Sequence, residues 1–276
     1  MREVRRPNHD FRQGWHDWAM KSFRLDDYDP DDTSAFKGGK KECAELNTAI
    51  QKRIGELQEL LFARHEHKVL IVLQGMDTSG KDGAIRHVMA DASPQSIRVV
   101  SFKKPTQPEL DHDYLWRVHA QVPASGEIAI FNRSHYEDVL IVRVHGDHGD
   151  KFWKKRFRQI NDFEQMLAEN GTLILKFFLH ISKDEQRERL QARIDDPTKR
   201  WKFQHVDIEE RARWKDYMHA YEEALRATST EWAPWTIVPA NHKWYRNYVV
   251  GKTVVDALED LKMKYPEPDL SAERVE

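Results

Sequence analysis

Residues 68–81, KVLIVLQGMDTSGK, narrow the fold more than any other stretch of the chain. An apolar strand runs into Gly75, and Gly80 with Lys81 completes the spacing G-x-x-x-x-G-K ahead of an amphipathic run that reads as a helix. A phosphate loop needs that context. The N–H groups of a glycine-rich turn and of the following helix N-terminus face an anion, and the lysine adds a full charge. A glycine turn that only links strand to helix leaves Lys81 unexplained. One position departs from the pattern: Ser or Thr normally follows the lysine and touches the metal on a nucleotide, whereas this chain has Asp82.

A carboxylate beside phosphoryl oxygens is repelled unless a divalent cation lies between them. Mg²⁺ commonly takes one or two carboxylates together with phosphate oxygens and waters. Asp82, and Asp77 within the loop, therefore read as Mg²⁺ ligands, with Asp77 also a candidate to orient or deprotonate the attacking group. The blander alternatives are a first-turn charge that favours the helix dipole for Asp82, and an ordinary turn residue for Asp77.

The rest of the chain repeats one theme. Short apolar runs at 68–74, 96–102, 127–132, 172–180 and 235–240 read as strands. Helical patterns lie between them at 81–91, about 109–120, 134–143, 152–169 and 183–194. Near-continuous apolar strands separated by helix-length crossovers predict an α/β fold with a parallel sheet covered on both faces. Ahead of it, Leu46, Ile50, Ile54, Leu57 and Leu61 recur at helical spacing over 40–64. Residues 1–39 read as a polar extension, wrapped on the surface or partly disordered, and 40–276 as a single domain. Within that domain, about 183–232 is densely charged and is expected to form a helical lid, with Asp207 and Glu210 capping its second helix and Trp214, Met218, Tyr221 and Leu225 forming the apolar stripe.

A second strand end adds chemistry. In EIAIFNRSHYED (127–138) the strand finishes at Asn132, where a phosphate site usually has a metal-binding Asp. Asn132 is a weaker, neutral ligand, so metal-binding charge is moved to Asp82, and Glu137 adds more. Arg133 is placed to grip phosphate oxygens bidentately. Parallel sheets bind ligands at these carboxyl ends, which favours a site over a merely solvated strand end.

Several function classes drop out. The formal net charge is −2, so the chain as a whole attracts no polyanion, and no basic excess interleaved with aromatics argues for nucleic acid. No apolar run approaches membrane-spanning length, and MREVRRPNHDFRQGW has bases without an apolar stretch behind them, so no secretory signal and no membrane partner are expected. With Cys43 alone, no cysteine metal cluster is expected, and no His spacing suggests zinc. A cytoplasmic location is the default.

Taken together, these residues resemble the polyphosphate kinase 2 family. The matching pieces are 73–85, 102–145, 178–193, DPTKRWKF (196–203), 214–225 and WTIVPANHKWYRNY (235–248), within a span of about 40 to 265. The resemblance implies a thymidylate-kinase-like P-loop kinase fold with a helical lid. It also implies Mg²⁺-dependent phosphoryl transfer between inorganic polyphosphate and AMP, ADP or ATP. Lys81 and the loop positions Gly75, Met76, Thr78, Ser79, Gly80 and Gly83 would hold phosphate, beside Asn132. Asp77, Asp82 and Glu137 would be the metal-linked acids, and Arg133 would stabilise transition-state charge. Arg193, Lys199, Arg200 and Lys202 would cover the phosphates from the lid. RSHYED (133–138) is similar to the subgroup that accepts both nucleoside mono- and diphosphates, since members limited to diphosphates tend to have Asn where this chain has Glu137.

A polyphosphate ligand would need several basic contacts. Lys151, Lys154, Lys155 and Arg158 share one helical face and are candidates, as are Lys103 and Lys104, although each group taken alone reads more readily as a solvated basic face. Trp232, Trp235, Trp244 and Tyr245 read as core. A homo-oligomer built on the long first helix is a further expectation. Two competing functions fit the same loop: an ATP-dependent kinase for a nucleotide or small metabolite, and a polyphosphate-binding module without turnover.

Overall fold

Strands that are apolar on both faces fold only where helices cover both faces, and the computed structural model of the protein, which describes residues 23–146 and 148–267, has that arrangement. In chain order the elements are α1 (Lys40–Arg64), β1 (Lys68–Gln74), α2 (Lys81–Val88), β2 (Ile97–Val100), α3 (Gln107–Leu110), α4 (Trp116–His119) and β3 (Ile128–Asn132). There follow α5 (Ile141–His145), α6 (Asp150–Glu169), β4 (Thr172–His180), α7 (Lys183–Asp195), α8 (Val206–Ala212), α9 (Trp214–Thr228), β5 (Trp235–Pro239) and α10 (Lys243–Glu259). The strands form one parallel sheet in the order β2-β3-β1-β4-β5. Helices α1, α2 and α10 pack together as one layer, and α6 with α9 as another.

Register places the site. Leu73 pairs with Asn132, so the loop after β1 and the turn after β3 leave the sheet side by side, and Arg133 N donates to Leu73 O at 3.2 Å. Side chains of β1 and β3 such as Leu70, Val72, Ile130 and Phe131 are fully buried. Burying each contributes roughly 1.5–3 kcal/mol.

The structure corrects several sequence expectations. On α1 the buried face runs through Cys43, Asn47, Ile50, Ile54, Leu57, Gln58 and Leu61, and Leu46 is left exposed. The helix expected at 109–120 is two short ones, because Asp113 accepts from Leu115 N at 2.9 Å and so starts a new turn. The helix expected at 134–143 opens as a 3-10 turn, His135–Val139, whose N-cap Ser134 accepts from Tyr136 N, and α5 begins only after Leu140. In the charged segment the second helix is broken at Arg213 into α8 and α9. Asp207 lies inside α8 and accepts from Gln204 N at 3.1 Å, while Glu210 is taken by Tyr217 and His145, so the expected Asp207–Glu210 cap does not form. On α9 the buried residues include Tyr217, Ala220, Tyr221 and Leu225, with Trp214 and Met218 at the margin.

Residues 23–39 lie against α9 and α10. Phe23 and Leu25 are buried, Leu25 N donates to Glu222 Oε2 at 2.8 Å, and the Phe36 ring packs on Tyr248 with centroids 5.1 Å apart. The remainder of the polar extension, residues 1–22, lies outside the described residues.

Candidate functional site

The loop between β1 and α2 bends through backbone conformations that few side chains accept. Gly75 and Gly80 have φ of 149° and 95°, and Thr78, a β-branched residue, sits at φ 67°. Arg133, facing this loop from the end of β3, is also left-handed at φ 66°. Such positions cost on the order of 1–3 kcal/mol each and persist only where the surroundings over-determine them. Here two non-glycine examples fall on the phosphate loop and its neighbour.

Lys81 is buried and donates to Gly75 O at 2.7 Å and Met76 O at 3.3 Å, folded back over its own loop. Burial lowers its pKa to about 8, helped by the Arg133 charge and opposed by Asp77, Glu137 and Asp82. Those three carboxylates therefore surround the loop lysine closely enough to act on its charge. Arg133 Nη2 donates to Asp77 Oδ1 at 2.6 Å, and Asn132 Nδ2 to Asp82 Oδ1 at 2.5 Å. Burial works against the Arg133 charge, but Asp77 and Glu137 more than compensate and raise its pKa. Burial pushes the Glu137 carboxyl above the ordinary range, although Arg133 and Lys81 pull it back. Gln74, with its amide turned to satisfy both ends, donates to Glu137 Oε1 at 3.1 Å and accepts from Ser134 N at 3.2 Å. Asp77, Lys81, Asp82, Asn132, Arg133 and Glu137 are thus brought together at the adjoining ends of β1 and β3.

The donor set suits Mg²⁺. Every candidate ligand is a carboxylate or amide oxygen, and the hydroxyls of Thr78 and Ser79 are buried without a partner among the described residues, as expected of a loop built to meet phosphate oxygens. Among the described residues no group of three or more His, Cys, Asp or Glu forms a metal cage by itself. That fits a cation that arrives with its phosphates and keeps only one or two protein ligands.

The sequence pattern that defines the Polyphosphate kinase 2 family matches residues 37–266. The chain belongs to the Polyphosphate kinase 2 family. Among relatives of this Polyphosphate kinase 2 chain, the AMP/ADP-polyphosphate phosphotransferase of Meiothermus ruber is 56% identical over 253 residues, covering 92% of this chain and 95% of the relative. The ADP-polyphosphate phosphotransferase of Rhodopseudomonas palustris is 48% identical over 250 residues, 86% of each chain. The crystal structure of Polyphosphate Kinase 2 from Arthrobacter aurescens TC1 superposes with a TM-score of 0.88 at 47% identity, covering 91% of this chain and 90% of that one.

Other expected residues stand further out. Lys199 pairs with Asp196 at 2.5 Å, Arg200 Nε donates to Ile194 O at 2.7 Å, and Lys202 lies over the exposed Trp201 ring. These contacts hold the three basic residues locally rather than against the loop. Arg193 is half-buried, and its charge acts on Asp207, which also feels Asp77 and Arg133, so this part of the charged segment is near the site. Lys151, Lys154, Lys155 and Arg158 are exposed on α6, as are Lys103 and Lys104 before α3. Trp235 and Tyr245 are buried, and Trp232 and Trp244 half-buried.

Sequence reasoning missed the residues that grip the loop from behind. Arg189 on α7 donates to Thr78 O (2.9 Å) and Ser79 O (3.0 Å), and also to Ala240 O (2.6 Å) and Asn241 O (2.9 Å), tying the loop to the end of β5. Gln186 Nε2 donates to Asp77 O at 3.2 Å. Arg246 on α10 is buried against Gly80 and Gly83, and burial with Arg189 beside it lowers its pKa to about 10. A Cβ at Gly80 would overlap Arg246 Nη1. Arg246 had a readable signal: a cation three, four and seven residues before Val249, Val250 and Thr253, on the buried face of α10.

Proposed function

We propose that this protein transfers phosphoryl groups between inorganic polyphosphate and nucleotides, converting AMP to ADP and ADP to ATP in a reversible, Mg²⁺-dependent reaction. The observation that carries the reading is the convergence of Lys81, Arg133 and three carboxylates on one glycine-rich loop. Its substrates are drawn from relatives whose names specify polyphosphate with AMP and ADP.

Phosphoryl transfer asks little covalent work of a protein; alignment and charge stabilisation supply most of the rate. In this reading the N–H groups of residues 75–83 cradle the transferred phosphate. Lys81 leaves its two loop carbonyls to hold the phosphate oxygens. Arg133 exchanges Asp77 for the developing negative charge. Asp77, Asp82 and Glu137 are the candidate Mg²⁺ ligands, one or two of them to a given ion, with Asn132 fixing Asp82. Held there with substrate, Mg²⁺ would supply neutralisation of phosphate charge. To Glu137, half-buried next to Arg133, we assign the acceptor end of the site and with it the use of a monophosphate as well as a diphosphate. Of the domain expected over 40–276, residues 268–276 lie outside the described residues; the rest acts as one unit in which about 183–232 closes as a lid, bringing Arg193, Lys199, Arg200 and Lys202 over the phosphates.

Incubating purified protein with Mg²⁺, long-chain polyphosphate and AMP or ADP, then resolving the nucleotides by chromatography, tests the reading. ADP and ATP are the expected products. Absence of product with either acceptor rejects it, transfer from ATP alone to a small acceptor identifies an ATP-dependent kinase, and binding without turnover identifies a storage module.

A further inference from the structure

Arg133 and Glu137 share a short turn, and what fixes that turn lies in the core beneath it. The three residues between them, Ser134, His135 and Tyr136, are buried. The Tyr136 hydroxyl donates to Glu164 Oε1 at 2.8 Å, and His135 Nε2 lies 3.2 Å from the same oxygen. The other carboxylate oxygen, Oε2, accepts from Lys176 Nζ at 2.6 Å. Lys176 also donates to Tyr136 Oη at 2.9 Å and to Thr228 O at 2.7 Å. Both members of the Glu164–Lys176 pair are 0% exposed. Burial would push the Glu164 carboxyl up, but Lys176 and His135 outweigh it and hold it ionised. Thr228 closes α9, the helix that returns from the charged segment, and its Oγ1 accepts from Trp235 Nε1 at 3.0 Å. One ion pair thus touches the site turn, α6, β4 and the end of α9.

A buried salt bridge adds little net stability over an apolar pair of the same volume, so its use is sought in geometry. Apolar burial is non-directional, whereas charge-assisted hydrogen bonds fix distance and angle. The turn above needs such fixing, because it carries Arg133 at φ 66°. No hydrogen bond joins Tyr136, Glu164 or Lys176 to residues 75–82 among the described residues.

We propose that Glu164, Lys176 and Tyr136 form a positioning unit that sets where Arg133 and Glu137 stand relative to Lys81, and so governs turnover and acceptor choice without touching substrate. The kinetic half of this inference rests on the function proposed above; the structural half does not.

Tyr136→Phe removes one hydroxyl and leaves the Glu164–Lys176 pair and its bond to Thr228 O in place. Glu164→Gln with Lys176→Met removes both charges at similar volume and serves as a second variant. Amide hydrogen exchange reads the turn directly, and steady-state kinetics with polyphosphate, Mg²⁺ and AMP or ADP read its effect. In both variants, exchange over 133–138 is expected to rise about tenfold or more while β1 and β4 are unchanged. The kcat with AMP is expected to fall about tenfold, with the KM for polyphosphate unchanged, since small misplacements of reacting groups are costly. In a Glu137→Gln background Tyr136→Phe should add little to the change in the AMP-to-ADP ratio of kcat/KM, because acceptor choice is assigned to Glu137, whereas the loss in kcat that comes through Arg133 should persist. Unchanged exchange over 133–138 overturns the proposal, and so does a change in the AMP-to-ADP ratio that adds in full to that of Glu137→Gln. If the wild type transfers no phosphate while Tyr136→Phe loosens the turn, the functional reading fails and the positioning role stands.

Discussion

Lys81 carries its charge into a pocket that leaves the residue 8% exposed, and methionine has a similar length and no charge. Lowering the lysine pKa from 10.5 to about 8 corresponds to a penalty of about 3 kcal/mol for keeping it protonated in the folded state. Lys81→Met removes that penalty. It also removes two hydrogen bonds, to Gly75 O and Met76 O, each worth about 0.5–1.5 kcal/mol. A net gain of about 0–2 kcal/mol at pH 7 is expected, or up to roughly 8 °C in melting temperature. The sign can be checked through pH. The folded pKa lies below the unfolded one, so the unfolded chain binds more protons between pH 8 and 10.5, and wild-type stability rises across that window relative to the variant. Below pH 8 the penalty is carried in full; above pH 10.5 it is gone. Thermal or urea unfolding of both proteins at pH 7 and pH 10 measures the gap, which should narrow at the higher pH. Added polyphosphate should stabilise only the wild type, since a ligand stabilises the state that binds it. The reasoning is refuted if Lys81→Met is the less stable protein at pH 7, or if the gap is the same at both pH values.

Asp77→Asn and Asp82→Asn should each lower kcat about 10²-fold or more while leaving the unfolding midpoint nearly unchanged, because each removes a charge that faces developing phosphate charge; wild-type turnover in either variant removes its assigned role. Glu137→Gln should reduce kcat/KM for AMP more than for ADP. As burial raises the Glu137 pKa, wild-type AMP turnover should decline toward acid pH through a limb above the ordinary carboxylate value of 4.5, and that limb should vanish in the variant. Gly80→Ala places a side chain at φ 95° and against Arg246, and is expected to destabilise by at least about 1–2 kcal/mol, read from the urea midpoint.

Much of the site was legible because its signals are local. The G-x-x-x-x-G-K spacing after an apolar strand located Lys81, Asp77 and Asp82, and the polar end of the third strand located Asn132 and Arg133. The short helices at 107–119 were less legible. Their breaks are made by individual side-chain caps, Thr106 with Glu109 and then Asp113, which periodicity does not register. The core polar groups left traces that an apolar-stripe reading passes over. Glu164 falls four residues after Ile160 and seven after Phe157 on the buried face of α6, and Lys176 interrupts LILKFFL in β4. Each is a charge where only a partnered charge survives.

By itself the sequence determined the strand–loop–helix unit, the parallel sheet and the chemical character of its phosphate loop, because glycine spacing and hydrophobic period act over a few residues. Only the tertiary structure decided which distant groups meet. Leu73 pairing with Asn132 brings Arg133 to Asp77, a separation of fifty-six residues, and α10 brings Arg246 to the back of Gly80. Those meetings depend on strand register and helix packing, which follow from burial summed over the whole chain rather than from any segment's own preference.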